Sequence, residues 1–420
     1  MAFKLRTDDI MIWLLLMMQL GFHTNTGYDD VVSLGVSVLI FLYFIVVGGK
    51  TGFVRLTQRG KEYFIWYSAV TFICSISALW ATHSNMSSIL SLIVDTYIPI
   101  VISLMCVAEY LKRGNTGLGM MTALVMAEVA VAIRALLNTE FTSLLSEYNT
   151  RLYGRGLGVN YNHFTTQFAL VLCVVLFLAY YVHKAFYIPA LFIIANIIIS
   201  GSRKVLLVSV FVFVFLYLTS SGSSLWKKLL RLLVVVAVLG AALWIISTNS
   251  FLNQLIGKKT MLVVREVISM DVDRSSDFSA YQRSELIKKA GEVFFSHPIL
   301  GVGYYCFRNY NEWNLYAHNN YMELLADMGI VGFLTYYSMY IRCFLEYIHM
   351  HIRLQGGKLR LNHRKEPSKW NKLGVLFILS LLFIEYGQVT FFRPYVLIPI
   401  MVTVLGIENM KNGEAWKRRA

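Results

Sequence analysis

The sequence predicts an all-α polytopic membrane protein with about twelve transmembrane helices, roughly ten to fourteen once miscounted pairs are allowed for. Three observations predict it. Of the 420 residues, 57% are hydrophobic and only 15% are charged. Apolar runs such as VVSLGVSVLIFLYFIVV at 31–47 and LLRLLVVVAVLGAALWIIS at 229–247 approach the roughly 20 residues that a helix needs to cross a bilayer. Basic residues are dense in alternate connections and absent from others, the mark of a chain threaded back and forth across a membrane.

The expected spans run in order. The first, near 10–25, follows Lys4 and Arg6, and no small-residue cleavage site comes after it, so no cleaved signal is expected. Spans near 30–48, 63–81, 88–110, 118–137, 163–182, 185–201, 204–220 and 229–248 come next, and 320–348, 372–389 and 394–410 close the chain. Alternate connections hold Lys50, Arg55, Arg59 and Lys61, then Lys112 and Arg113, Lys184, and Lys227, Lys228 and Arg231, with a basic cluster from Arg353 to Lys372. The intervening loops 23–30 and 82–87 hold no Lys or Arg. That asymmetry sets both termini on the cytoplasmic side. It divides the chain into helices one to nine over 1–248, a large extracytoplasmic loop over 249–319, and three final helices over 320–420 with a basic cytoplasmic loop at 349–371 and a cytoplasmic tail. The net charge of +14 follows from membrane topology, so no nucleic-acid partner is expected. Of the cysteines, Cys74, Cys106, Cys173 and Cys343 fall within spans and only Cys306 in the outer loop, which offers no disulfide framework or metal spacing.

The basic residues left on the outer side are few: Arg151, Arg155, Arg203, Lys204, Arg393 and those of the large loop. Arg203 lies in IIISGSRKVLLVSVF, a connection so short that it sits at or inside the membrane surface, where an ionisable group is costly and marks function by default. Snorkelling to headgroups is the plainer reading; the functional one is two-pronged binding of a phosphate. In the outer loop, FSAYQRSELIKKAGEVFF at 278–295 reads as an amphipathic helix with Phe278, Tyr281, Ala290 and Phe294 on one side and Arg283 on the polar side. It stops at Ser296-His297-Pro298, and Gly301 and Gly303 in ILGVGYYCF suggest a tight turn. The loop is expected to pack over the membrane domain as a lid.

The stretch AHNNYMELLADMGIVGF at 317–333 places a titratable ring at the mouth of an apolar helix. Asn320 with Glu323 resembles a capping pair, so His318 stands just ahead of the helix N-terminus. The positive end of the helix dipole disfavours the imidazolium form there, and a neutral imidazole is what a general base requires. Gly329 and Gly332 form a small-residue patch that would admit another helix or a lipid chain. A histidine at a helix start is, taken alone, more often structural.

Together these motifs resemble the O-antigen ligase and Wzy-type polysaccharide polymerase family. His318, Asn319, nine intervening residues and then Gly329-Ile330-Val331-Gly332 match its histidine motif; Arg203 to Leu207 match its Arg-x-x-x-Leu motif; and Arg283 ahead of HPILGVG matches an arginine typical of its loop. GVNYNHF at 158–164, with Asn162, looks like its asparagine-containing segment. The resemblance spans roughly residues 155–340. It implies a membrane-embedded glycosyltransferase of the GT-C class acting on undecaprenyl-pyrophosphate-linked glycans at the outer face of a bacterial cytoplasmic (inner) membrane. Arg203, Arg283 and Lys204 would hold the pyrophosphate, His318 would activate the acceptor hydroxyl with Asn319 orienting it, and no cofactor or metal would be needed. A chain-length regulator protein is a partner typical of the family.

Three alternatives stay open at this point. Paired carboxylates at Asp29-Asp30 or Asp271-Val272-Asp273 could hold a divalent cation against a pyrophosphate. The same motifs serve a polymerase, which extends O-antigen, capsular or exopolysaccharide chains, and a ligase, which transfers glycan to lipid A core or protein. A lipid-linked sugar transporter would want internal repeats and polar groups near the midplane; no repeat is evident, although Asp95, Glu109, Glu128 and Arg134 fall within spans.

Overall fold

In the computed structural model, the described residues are 6–22, 27–48, 56–142, 153–157, 161–219, 278–348, 350–355, 358–363 and 368–417, with isolated helical positions between 226 and 249. They form two compact units, one of Met1–Ala130 with Glu285–Ala420 and one of Val131–Ser284. The helices are α1 (Thr7–Gly21), α2 (Gly27–Gly48), α3 (Gln58–Ile76), α4 (Met86–Lys112), α5 (Gly117–Leu137), α6 (Tyr161–Tyr181), α7 (Tyr187–Ser200), α8 (Arg203–Leu218), α9 (Phe278–Ser296), α10 (Asn320–Tyr347), α11 (Lys369–Glu385) and α12 (Pro394–Lys417). Each expected span meets one of these except 229–248, which falls largely outside the described residues. Among the described residues, six helices are long and apolar enough to cross a membrane by length and composition alone, and two shorter apolar ones cover Lys184–Ser200 and Lys204–Leu218.

One departure from helix is found among the described residues. Strands β1 (Met350–Gln355) and β2 (Lys358–His363) pair antiparallel inside the basic loop, with Ile352 opposite Leu361 and Leu354 opposite Leu359. Apolar and polar residues alternate there with period two, which suits a strand and not a helix.

In the larger unit, α10 packs on α3 and α11, and α4 packs on α2 and α12. Within α4 a π-helical turn, Leu92–Tyr97, precedes Pro99. A proline has no N–H and crowds the carbonyl four residues back, so a widened turn is the local solution. One end of this unit is tied by charge. Arg59 pairs with Glu62 at 2.7 Å and also with Glu346, Lys411 pairs with Glu346 at 2.8 Å, and Arg342 pairs with Glu62 at 2.6 Å. Arg113 bridges Asp8 at 3.1 Å and Glu109 at 3.4 Å, and Asn409 Oδ1 accepts from the Gly117 N–H at 2.8 Å. Glu109, which as an intramembrane acid suggested either a buried ion pair or a polar groove, pairs with Lys112 and Arg113 in a polar collar at the helix ends.

Glu128 on α5 is different. It is 0% exposed, and neither carboxyl oxygen has a hydrogen-bond partner. A buried polar group without a partner costs about 1–3 kcal/mol. Glu128→Met is therefore expected to raise the melting temperature in detergent; a drop in melting temperature would show that the carboxyl is needed for packing.

In the smaller unit, α6 is the central element, with residues 164–179 buried throughout and α7 and α8 packed on it. The short connection between the apolar runs is a real turn: Gly201 caps α7 at φ 60°, and α8 starts two residues later. A left-handed residue at that position favours glycine.

Candidate functional site

The start of α10 is built from four neighbouring residues with different tasks, His318, Asn319, Asn320 and Glu323. Asn319 is the N-cap, its side-chain oxygen accepting from the Met322 N–H at 3.1 Å. Glu323 reaches back to the Ala317 N–H at 2.5 Å. The capping pair is thus Asn319 with Glu323, one residue earlier than the sequence reading placed it. Asn320 is instead buried and crosses to the segment before α12, its oxygen accepting from the Thr390 and Phe391 N–H groups at 2.8 and 3.2 Å. Between Ala317 and Asn319 the chain must turn sharply, and His318 does so at φ 55°. A side chain bearing a Cβ in that left-handed region is held at a cost of about 1–3 kcal/mol. The His318 ring is half-buried and lies against Tyr316, with ring centroids 4.1 Å apart.

What holds this conformation is the segment that follows α9. The C-terminal half of α9 buries Leu286, Ala290 and Val293, spaced four and three apart, in a cluster with Val302, Cys306, Phe307, Ala317 and Ala326. The buried stripe therefore differs from the expected one: Phe278 is exposed, and Leu286 and Val293 carry the packing with Ala290. The helix ends at Ser296, ahead of Pro298, as read. The chain then runs alongside α10 as though pairing with it. The Val302 N–H donates to Ala326 O at 3.0 Å, Gly303 N–H to Asp327 O at 2.8 Å, and Ile330 N–H to Pro298 O at 2.9 Å. This is possible because α10 is broken at Gly329, whose φ of 61° and ψ of −166° open its backbone. A Cβ on Gly329 would overlap the Ile299 carbonyl, and one on Gly301, at φ 66°, would overlap the Asp327 carbonyl. Gly329 does admit a neighbour, but it is the chain's own 298–303 segment, while a Cβ on Gly332 would meet the Met328 side chain.

Two buried carboxylates fasten the arrangement. Asp327, one helical turn from Glu323, accepts from the Tyr305 and Phe307 N–H groups, each at 2.8 Å. Deeper in the unit, Glu385 on α11 receives the hydroxyls of Tyr336, Tyr337 and Tyr340 at 2.9, 2.9 and 3.1 Å and that of Thr390 at 2.7 Å. Tyr337 in turn accepts from Asn320 Nδ2 at 3.0 Å. The residue after the cap is thereby tied to α11 and to the chain entering α12. In the same region burial pushes the Cys306 thiol up to about 11, with the Asp327 carboxylate adding to the effect, so it is a protonated, inert thiol at neutral pH. Burial likewise holds the Tyr304 phenol well above its ordinary value.

The other sequence-derived candidates lie elsewhere. Arg203 opens α8 and Asn162 stands in the first turn of α6; their side chains lie outside the described structure. Lys204 on α8 and Arg283 on α9 belong to the same unit and are near enough to repel one another, with Arg283 exposed. Like charges held together in this way suit an anion. Asp29 and Asp30 sit in the first turn of α2, where carboxylates favour a helix N-terminus. Asp271, Asp273 and Arg151 lie outside the described residues. Among the described residues no three His, Cys, Asp or Glu side chains are grouped to hold a metal. Arg308, Tyr316 and Asp327 carry no motif of their own in the sequence, and Glu323 is legible there only as the partner of a cap. The two acids four apart inside an apolar run were the available signal, because ionisable groups at such depth are rare.

No curated protein matches the chain. Residues 188–337 match the family model Wzy_C, described as O-antigen ligase. That stretch holds Arg203–Leu207, Arg283 and the whole His318–Gly332 motif with its anchoring segment, and over those residues the chain is similar to the O-antigen ligase family.

Proposed function

We propose that the chain is a polysaccharide polymerase that joins undecaprenyl-pyrophosphate-linked repeat units, by inverting glycosyl transfer, at the outer face of a bacterial cytoplasmic membrane. The observation that carries this reading is His318, held in a left-handed turn ahead of a capped helix, inside the segment that matches the O-antigen ligase family. His318 accepts the proton of the acceptor hydroxyl as that oxygen bonds to the donor's anomeric carbon. The bond from that carbon to the phosphate oxygen breaks, and undecaprenyl pyrophosphate leaves. Arg203, Lys204 and Arg283 offset the charge developing on the leaving group. Asn319 acts one step away, by fixing the backbone from which the imidazole projects. The fold expected with this chemistry is of the GT-C type, with both termini cytoplasmic and the basic hairpin on that side.

The test uses purified protein in detergent with lipid-linked repeat units and EDTA. A ladder of longer lipid-linked glycans from wild type, absent in Arg203→Ala and His318→Ala, supports a polymerase that works without a divalent cation. Loss of the ladder on adding EDTA turns attention to Asp29 and Asp30. Transfer only to added lipid A core makes the protein a ligase, and movement of glycolipid across vesicles with no product would overturn the enzyme reading.

A further inference from the structure

Most of the buried charge in the larger unit has a partner. Glu385 receives four hydroxyls, and the collar of Arg59, Glu62, Glu346 and Lys411 pairs internally. Two guanidinium groups do not fit that pattern. The Arg308 guanidinium lies over the Tyr305 ring, 4.1 Å from its centroid, and that of Arg393 over Phe392 at 4.5 Å. Those two rings meet edge to face at 6.1 Å, so the arginines are stacked on opposite members of one aromatic pair. Both act electrostatically on the Glu323 carboxylate, which itself bonds the Ala317 N–H, the residue before His318. The pair is therefore anchored at the turn that carries the imidazole.

The nearby acids do not consume these cations. Asp327 bonds two backbone N–H groups, and Glu323 bonds the Ala317 N–H. Among the described residues neither guanidinium forms an ion pair within 4.0 Å, and Arg308 Nε is buried with no hydrogen-bond partner. Two planar forks fixed by ring stacking, with donors unassigned and entropy already lost, are preorganised for a polyvalent oxyanion. We infer that Arg308 and Arg393 form a pyrophosphate-binding pair on the His318-bearing unit, additional to Arg203, Lys204 and Arg283, and that it receives the headgroup of a lipid-linked substrate. The identity of that substrate rests on the function proposed above; the anion chemistry does not.

The experiment titrates full-length protein in detergent with undecaprenyl pyrophosphate, with phosphatidylglycerol in parallel, and follows glycan transfer separately. Replacing both arginines by alanine is expected to weaken undecaprenyl pyrophosphate binding at least tenfold and raise KM for the lipid-linked substrate, with little change in kcat. Arg308→Lys and Arg393→Lys keep the charge and the packing of the stem but lose the fork, so each should bind at an intermediate strength with the wild-type melting temperature. His318→Ala should bind as wild type does and fail to transfer. Unchanged binding in the double variant, or lysine variants that match wild type, overturns the pair. Equal binding of phosphatidylglycerol, weakened equally by the substitutions, makes it a general lipid-phosphate site and overturns the substrate assignment. Wild type that binds but never transfers sinks the proposed function and leaves the pair standing.

Discussion

His318→Ala is expected to lower the rate of glycan transfer by about 10²–10⁴-fold, the usual contribution of a positioned general base, while the protein melts close to wild type. The separation is expected because the turn is held by the neighbours Ala317, Asn319 and Asn320, whereas the His318 ring packs on Tyr316. His318→Asn is the sharper control: asparagine tolerates the left-handed region but cannot serve as the base. Transfer by purified variants, read as the ladder of lipid-linked products, checks this. An alanine variant within threefold of wild type would remove His318 from the chemistry.

The second large effect concerns folding and leaves the chemistry untouched. Gly329→Ala is expected to destabilise the protein by about 3 kcal/mol or more, since it joins a strained backbone to a direct overlap. The backbone at φ 61° and ψ −166° lies where only glycine is at ease, and the new methyl group would meet the Ile299 carbonyl. The 298–303 segment would have to move away from α10, taking its three hydrogen bonds to Ala326, Asp327 and Ile330. Activity would fall with the folded fraction. Gly291→Ala, whose added methyl meets only Met322 Cε at 3.6 Å, is the matched control and should leave the melting temperature unchanged or slightly raised. Equal melting temperatures for the two variants would show that α10 can close its kink.

Local, one-dimensional signals carry part of this architecture. Apolar runs of bilayer length placed the helices, including the short connection at Gly201, because hydrophobic length and a left-handed glycine are local properties. The histidine motif and its glycines were legible as a pattern, and the family match falls on the stretch that holds them. The β1–β2 hairpin is not among the expected elements, although its period-two alternation is present in the sequence beside a dense run of basic residues. Only the tertiary structure decided how the motif works. That Asn319 and not Asn320 caps α10 depends on where Thr390 and Phe391 lie, some 70 residues on. That Gly329 receives the chain's own 298–303 segment depends on backbone bonds across the break in α10. Arg308 and Arg393 lie 85 residues apart in sequence and meet through Tyr305 and Phe392. No local pattern records such pairings. A residue's type sets which bonds it can form, and packing alone sets which partners come within reach.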